Sequence, residues 1–186
     1  MPAPGAAPVL TPAHFRPELY ATLISPSSPA PASAFLALVR HARALPATPG
    51  QADSQRELSG AGRAEFQLQL ARLEAMRFGC DKLWTSPWRR ARETSQMLGG
   101  VCKREPEDHE GLCSDPSSPE GIELIAQASE QALASRVVLV GHQPWLAQIA
   151  RGLGVLDVRD IECGEVIWLQ RRPVRGWVTA ARLYPG

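Results

Sequence analysis

Phe35-Leu36-Ala37-Leu38-Val39-Arg40-His41 is a short apolar run closed by an arginine and a histidine. A strand buried on both faces reads this way: continuous rather than alternating, and polar only where it leaves the core. The pattern recurs twice. Lys82-Leu83-Trp84-Thr85 runs into Ser86-Pro87, and Val137-Val138-Leu139-Val140 runs into Gly141-His142. Helical stretches separate these runs. Phe66, Leu70 and Leu73 fall at i, i+4, i+7 within Ala64 to Arg77, with Gly79 as a stop. Ser86-Pro87 offers a cap and a first-turn proline for a helix to about Leu98, ending at Gly99-Gly100. Residues 101 to 118 read as loop. Ser118-Pro119 repeats the start signal, with Ile122, Ile125, Ala126 and Leu133 as one apolar face. Pro144 opens a helix carrying Leu146, Ile149 and Leu153. Val166 to Leu169 and Trp177 to Leu183, joined through Pro173 and Gly176, read as a closing hairpin. Strands alternating with helices predict a three-layer α/β/α sandwich with a mostly parallel sheet. In such folds ligands bind beyond the carboxyl ends of the strands. Arg40-His41, Ser86 with its arginines, and Gly141-His142 are therefore expected on one rim.

The flanks set limits. Residues 1–33 hold 8 of the 17 prolines and two charges, Arg16 and Glu18. Such a segment propagates neither helix nor ladder. It is expected to be an extended or partly disordered tail, with a short helix around Phe15, Leu19 and Leu23 packed on a domain of residues 34–186. It lacks the charged start and continuous apolar stretch of a signal peptide. No apolar run approaches the roughly 20 residues of a membrane span. No cysteine pair has CxxC spacing, so neither a zinc site nor a disulfide framework is expected. The expected compartment is the cytoplasm. The formal net charge of +1 gives no bulk reason to expect nucleic-acid binding. Of the 20 basic residues only Lys82 and Lys103 are lysines. Arginine's planar fork suits phosphate, and GC-rich coding produces the same excess.

Each rim segment has an ordinary reading as solvated surface and a chemical one. A histidine held just past a buried strand can attack phosphorus as a neutral imidazole. Arg40 beside it can hold phosphoryl oxygens. Arg89, Arg90 and Arg92 open a helix, where cations oppose the macrodipole unless an anion sits there. His142 can donate to a phosphoryl oxygen. Trp88 and Trp145 are expected to pack in the core, and His14 and His109 to be surface residues.

Taken together, strand-Arg-His, Ser-Pro-x-x-Arg-Ala and strand-Gly-His resemble the histidine phosphatase superfamily, which includes the phosphoglycerate-mutase-like enzymes. The resemblance spans about residues 35–183. Asp53-Ser54-Gln55-Arg56-Glu57-Leu58-Ser59 through Gly62 is similar to the D-x-x-R-x-L-[ST]-x-x-G segment of the short SixA-like branch, which contains protein phosphohistidine phosphatases. The resemblance implies His41 as nucleophile, Arg40, Arg90 and His142 as the phosphate pocket, and Arg56 as a further pocket residue. The implied chemistry needs no metal or cofactor. Ala42 stands where the family most often has glycine. No carboxylate among Glu105, Glu107, Asp108, Glu110 and Asp115 matches a general-acid motif, and Asp115 and Glu110 are the candidates.

A missing acid bears on the substrate. An alkoxide leaving group gains much from an acid, whereas a phosphohistidine expels neutral imidazole once its ring is protonated. A domain of about 150 residues also leaves no insertion for a lid. The leading expectation is a phosphatase that forms phospho-His41 and takes phosphate from phosphohistidine in a protein. The alternatives are a phosphatase of small phosphomonoesters and, from another class, a non-catalytic phosphate or phosphoprotein binding module. A mutase fits less well, because phosphate retention needs a closed site that excludes water.

Overall fold

The computed structural model describes residues 9–10 and 34–185. The expected short helix around Phe15, and His14 with it, lie outside the described residues. Strand β1 is Val9–Leu10 and β2 is Phe35–Arg40. Helix α1 (Gly60–Ala75) leads to β3 (Lys82–Thr85), and α2 (Arg89–Cys102) to β4 (Glu107–Asp108). Helix α3 (Pro119–Gln131), β5 (Arg136–Gly141) and α4 (Trp145–Gly152) follow, and β6 (Val166–Arg172) and β7 (Gly176–Leu183) close the chain. The sheet order is β1-β7-β6-β2-β5-β3-β4. β5 pairs in parallel with β2 and β3, β3 with β4, and β7 with β1. Only β6 pairs antiparallel, with β2 and β7. This is the mixed, mostly parallel sheet that the three apolar runs imply.

Period-two alternation divides the core. Phe35, Ala37 and Val39 join Phe66, Leu70 and Leu73 of α1 and Leu98 of α2 on one face. Leu36 and Leu38 join Leu124 and Ala128 of α3 and Leu146 and Ile149 of α4 on the other. Two helical layers thus cover a sheet whose central strands have no wet face. Each fully buried Leu or Val side chain there contributes about 1.5–3 kcal/mol.

Three helices depart from the expected limits. α1 starts earlier, because the Ser59 side chain accepts a hydrogen bond from Gly62 N and caps it at Gly60. α2 starts later than Pro87 and runs through Gly99-Gly100 to Cys102, turning at Lys103 with φ 55°. Gly99 serves close packing rather than termination: a Cβ there would lie 2.5 Å from the Arg104 carbonyl oxygen. On α3 the buried residues are Gly121, Leu124 and Ala128, while Ile122 faces solvent, as does Leu133 in the turn beyond the helix. Gly121 packs so closely on the turn at Asp115–Pro116 that the helix presents a different stripe from the one its largest side chains suggest. Ser118 caps α3 through Gly121 N, as expected. Among the described residues no helix is long and apolar enough to cross a membrane.

Candidate active site

The carboxyl ends of β2, β3 and β5 meet at one rim. His41 N donates to the Gly141 carbonyl at 3.0 Å and Ser86 N to the Val140 carbonyl at 2.9 Å, so the three exits are tied by backbone. The His41 and His142 rings stand 5.0 Å apart. His41 is 7% exposed, Arg90 5% and His142 2%.

His41 has a defined tautomer. Its Nδ1 lies 2.7 Å from the Ala42 carbonyl oxygen, which can only accept, so Nδ1 carries the proton. Nε2 then holds a lone pair, and Arg90 Nε donates to it at 3.0 Å. Burial lowers the His41 pKa to about 4; the Ala42 bond opposes this, while the charges of Arg90, Arg40 and Arg56 reinforce it. The ring is neutral near pH 7. Ala42 N donates to Thr94 Oγ1, and Thr94 Oγ1 donates to the Arg90 carbonyl, which ties the turn after β2 to the first turn of α2.

Arg90 is fully engaged. Besides His41, it donates to the Asp53 carbonyl from Nη1 at 2.6 Å and to Asp53 Oδ2 from Nη2 at 2.8 Å. Its guanidinium stacks 4.7 Å from the Trp88 ring centre. Arg89 and Arg92 point outward instead: Arg89 pairs with Glu57 and Glu93, and Arg92 with Asp108. Acidic partners thus offset the unfavourable cations at this helix start.

His142 Nε2 lies 2.8 Å from Ser86 Oγ, and its Nδ1 is buried with no partner. Burial, then the nearby His41, Arg90 and Arg40, drive its pKa down to about 2. Ser86 sits at the end of β3 with its hydroxyl turned to His142, so it does not cap α2 in the expected way. Arg40 donates from Nη1 to the Ile161 carbonyl at 2.7 Å, and its Nε is buried and unpartnered.

Arg56 joins this group through Asp53. It donates to Asp53 Oδ1 at 2.8 Å and to the Leu45 carbonyl at 2.7 Å. Asp53 bridges Arg56 and Arg90, and these two arginines, Arg56 first, hold its carboxyl below the usual range. The structure therefore brings together His41, Arg40, Arg90, His142 and Arg56. It does not bring Asp115 or Glu110 to them. Asp115 is exposed and accepts from Ser117 N and Oγ within its own turn, which lowers its pKa. Glu110 is exposed and faces Cys113.

Two residues escaped the sequence reading. Asp53 belongs to the D-x-x-R segment, which is the signal that could have marked it. Trp88 is half-buried rather than core, with its ring 4.6 Å from that of His142. His109 is also half-buried, against the Trp84 ring and hydrogen-bonded to Gln127, rather than free on the surface. Beside Arg40, a cleft of about 440 Å³ lies between Gln143–Pro144 and Arg159–Glu162. Among the described residues no group of three or more His, Cys, Asp or Glu could hold a metal ion.

Residues 36–114 match the family model of the histidine phosphatase superfamily, branch 1. The match covers less than half of the chain, which is similar to that superfamily over those residues. Comparison with curated protein sequences gives no significant match. Among solved structures, a SixA protein histidine phosphatase complexed with tungstate is 18% identical with a TM-score of 0.68, covering 81% of this chain and 97% of the other. A SixA protein from Agrobacterium tumefaciens is 21% identical with a TM-score of 0.64, covering 82% and 98%. A phosphoserine phosphatase from Entamoeba histolytica, bound to phosphoserine, is 17% identical with a TM-score of 0.60, covering 80% and 95%. At these identities the likeness establishes the shared fold.

Proposed function

We propose that the domain of residues 34–186 is a phosphatase that works through a covalent phospho-His41, with phosphohistidine on a protein as its substrate. One observation carries the catalytic reading: the unprotonated Nε2 of a buried, neutral His41 lies beside the Arg90 guanidinium. A nucleophile's lone pair and a cation converge where a phosphoryl group would sit.

Nε2, released from the Arg90 Nε hydrogen bond as the phosphoryl group enters, attacks phosphorus in line, and the substrate's imidazole, already protonated by solvent on its other nitrogen, departs opposite as the neutral ring. His41 keeps its Nδ1 proton on the Ala42 carbonyl, so the phosphorylated ring is cationic and a good leaving group in turn. Water then attacks phosphorus, releasing inorganic phosphate and neutral His41. Arg40, Arg90 and Arg56 balance charge on the equatorial oxygens. The unpartnered Nδ1 of His142 and Nε of Arg40 are spare donors for the same task. A dianion placed there is attracted by the same positive neighbours that depress the His142 pKa. The arginines and histidines supply the charge that a metal supplies elsewhere.

The acids support this substrate class. Asp53 is held ionised between two arginines, and Asp115 and Glu110 are turned to their own loops. A cluster without a protonated carboxyl suits a leaving group that can be protonated by solvent, as an imidazole can. The four unpaired thiols speak for the cytoplasm.

The test is acid-labile phosphate trapping on the full chain, with His41→Ala as control, alongside steady-state rates on a phosphohistidine protein and on a panel of small phosphomonoesters. Label on the native chain only, with faster turnover of the phosphohistidine protein, supports the proposal. Label persisting in His41→Ala removes the nucleophile assignment. Fast turnover of small esters alone gives the small-molecule reading. Phosphate binding with no label ever formed gives the binding module.

A further inference from the structure

We propose that Glu165 and Arg182, outside the cluster described above, are positioning residues that set the phosphate-facing pose of Arg40. The inference rests on the reading of Arg40 as a phosphate arm.

Glu165 is fully buried just before β6, where it is 0% exposed. Arg182, on β7, donates from Nε to its Oε1 at 2.7 Å. Glu162 N donates to its Oε2 at 2.7 Å. Arg182 also reaches the Asp160 carbonyl from Nη2 at 2.5 Å. Both carboxylate oxygens and two guanidinium nitrogens thus pin one short segment, residues 160–165. Burial raises the Glu165 pKa, and Arg182 opposes that shift.

That segment grips Arg40 at three points. The Glu165 carbonyl accepts from Arg40 N at 3.2 Å. Gly164 N lies 3.1 Å from the Arg40 carbonyl and 3.2 Å from the His41 carbonyl, donating to both. The Ile161 carbonyl accepts from Arg40 Nη1 at 2.7 Å. Gly164 reaches this place with φ 83°, a conformation that side chains disfavour. Arg40 is therefore held at backbone and guanidinium by carbonyls and an amide that depend on the Glu165–Arg182 pair.

Stability alone is a poor explanation for the pair. A buried ion pair is often no more stable than a well-packed apolar pair of similar volume. What an apolar pair cannot do is fix the direction of the Ile161 carbonyl while bonding Glu162 N and the Asp160 carbonyl. Here that direction decides which Arg40 nitrogens are left for substrate.

The test is a double-mutant cycle on inorganic phosphate affinity, read on the full chain together with kcat, KM and the unfolding midpoint. Glu165→Gln keeps the volume but cannot accept from both Arg182 and Glu162 N. It is expected to weaken phosphate binding and raise KM about tenfold, with label still formed at His41. In an Arg40→Ala background, the same change is expected to cost nothing further. Arg182→Lys keeps the charge but loses the reach to the Asp160 carbonyl, so an intermediate loss is expected. It supplies the same cycle if Glu165→Gln folds poorly. A lower midpoint with unchanged phosphate affinity overturns the proposal, as do losses that multiply in the double variant. If Arg40→Ala itself leaves phosphate affinity unchanged while His41 is labelled, the reading of Arg40 fails, and the pair's role with it.

Discussion

His41 is poised by two opposing contacts on one ring: a carbonyl that fixes the proton on Nδ1 and a guanidinium that meets the lone pair on Nε2. Protonating Nε2 would end nucleophilicity and place a charge against Arg90. With its pKa near 4, the free enzyme's kcat/KM, corrected for substrate ionisation, should hold from about pH 7 to 5 and fall only as pH drops through about 4. A midpoint near 6.5 would mean that the ring is not shielded. His41→Ala is expected to lower kcat by a thousandfold or more, on the order seen when a nucleophile is removed. Arg90→Lys should cost about a hundredfold in kcat/KM, because an ammonium cannot face His41 and both Asp53 oxygens at once. A loss under about threefold in steady-state kinetics would sink that prediction. These residues were legible in the chain because each stands directly after an apolar run or at a helix start. Trp88 and Asp53 were less so. Nothing in a tryptophan's neighbours distinguishes a ring stacked on His142 from one in the core, and a carboxylate shared by two arginines is visible only once the loop is folded.

At the scale of elements, glycines decide how closely supports approach the rim. Gly62, in the first turn of α1, faces the backbone just after His41: a Cβ there would lie 2.1 Å from the Arg43 carbonyl oxygen. That oxygen also accepts from Ser59 N. Gly62→Ala must push the turn away, so it should destabilise the chain by about 1–3 kcal/mol and also lower kcat. Urea unfolding and steady-state rates check the two together; a stability loss with kcat unchanged would show that the turn yields without moving His41. The same logic explains where helix limits were misread. Local signals give Gly as a stop and Ser-Pro as a start, but at Gly99 and Ser86 tertiary contact uses those residues otherwise. The exposed Ile122 on α3, and Leu133 in the turn after it, teach the converse, because a helix's largest side chains do not define its buried face when small residues set the approach. The strands were read more surely, since a sheet covered on both sides leaves an unbroken apolar run.

For the molecule as a whole, two buried neutral histidines make stability depend on pH. Both folded pKa values lie below the unfolded value of 6.5. The unfolded chain therefore takes up protons that the native state refuses, so stability is full above about pH 6.5 and falls as pH drops. Each ring contributes up to about 1.4 kcal/mol per pH unit; the His41 part is lost by about pH 4, and that of His142 continues towards 2. His142→Asn should flatten the limb between about pH 6 and 4 by close to one proton, measured by urea unfolding across pH. An unchanged slope would place His142 in water. The layered sandwich was legible because strand and helix signals alternate along the chain. The late segment from Leu153 to Glu165 was not, since its residues meet Arg40 only through a pairing more than 120 positions away.

That segment reaches the rim because β6 is the one reversed strand among those described. The mouth is thus built from three exits and one entrance. The exits carry the proposed reacting groups and are bound to one another through the central ladder. The entrance is fed by a connection whose length the ladder does not dictate. Changes of length or charge in that feed reshape the cleft and the hold on Arg40, while His41 and Ser86 keep their backbone ties to β5. Arg40 is the hinge between the two, its backbone part of an exit and its guanidinium held by the entrance.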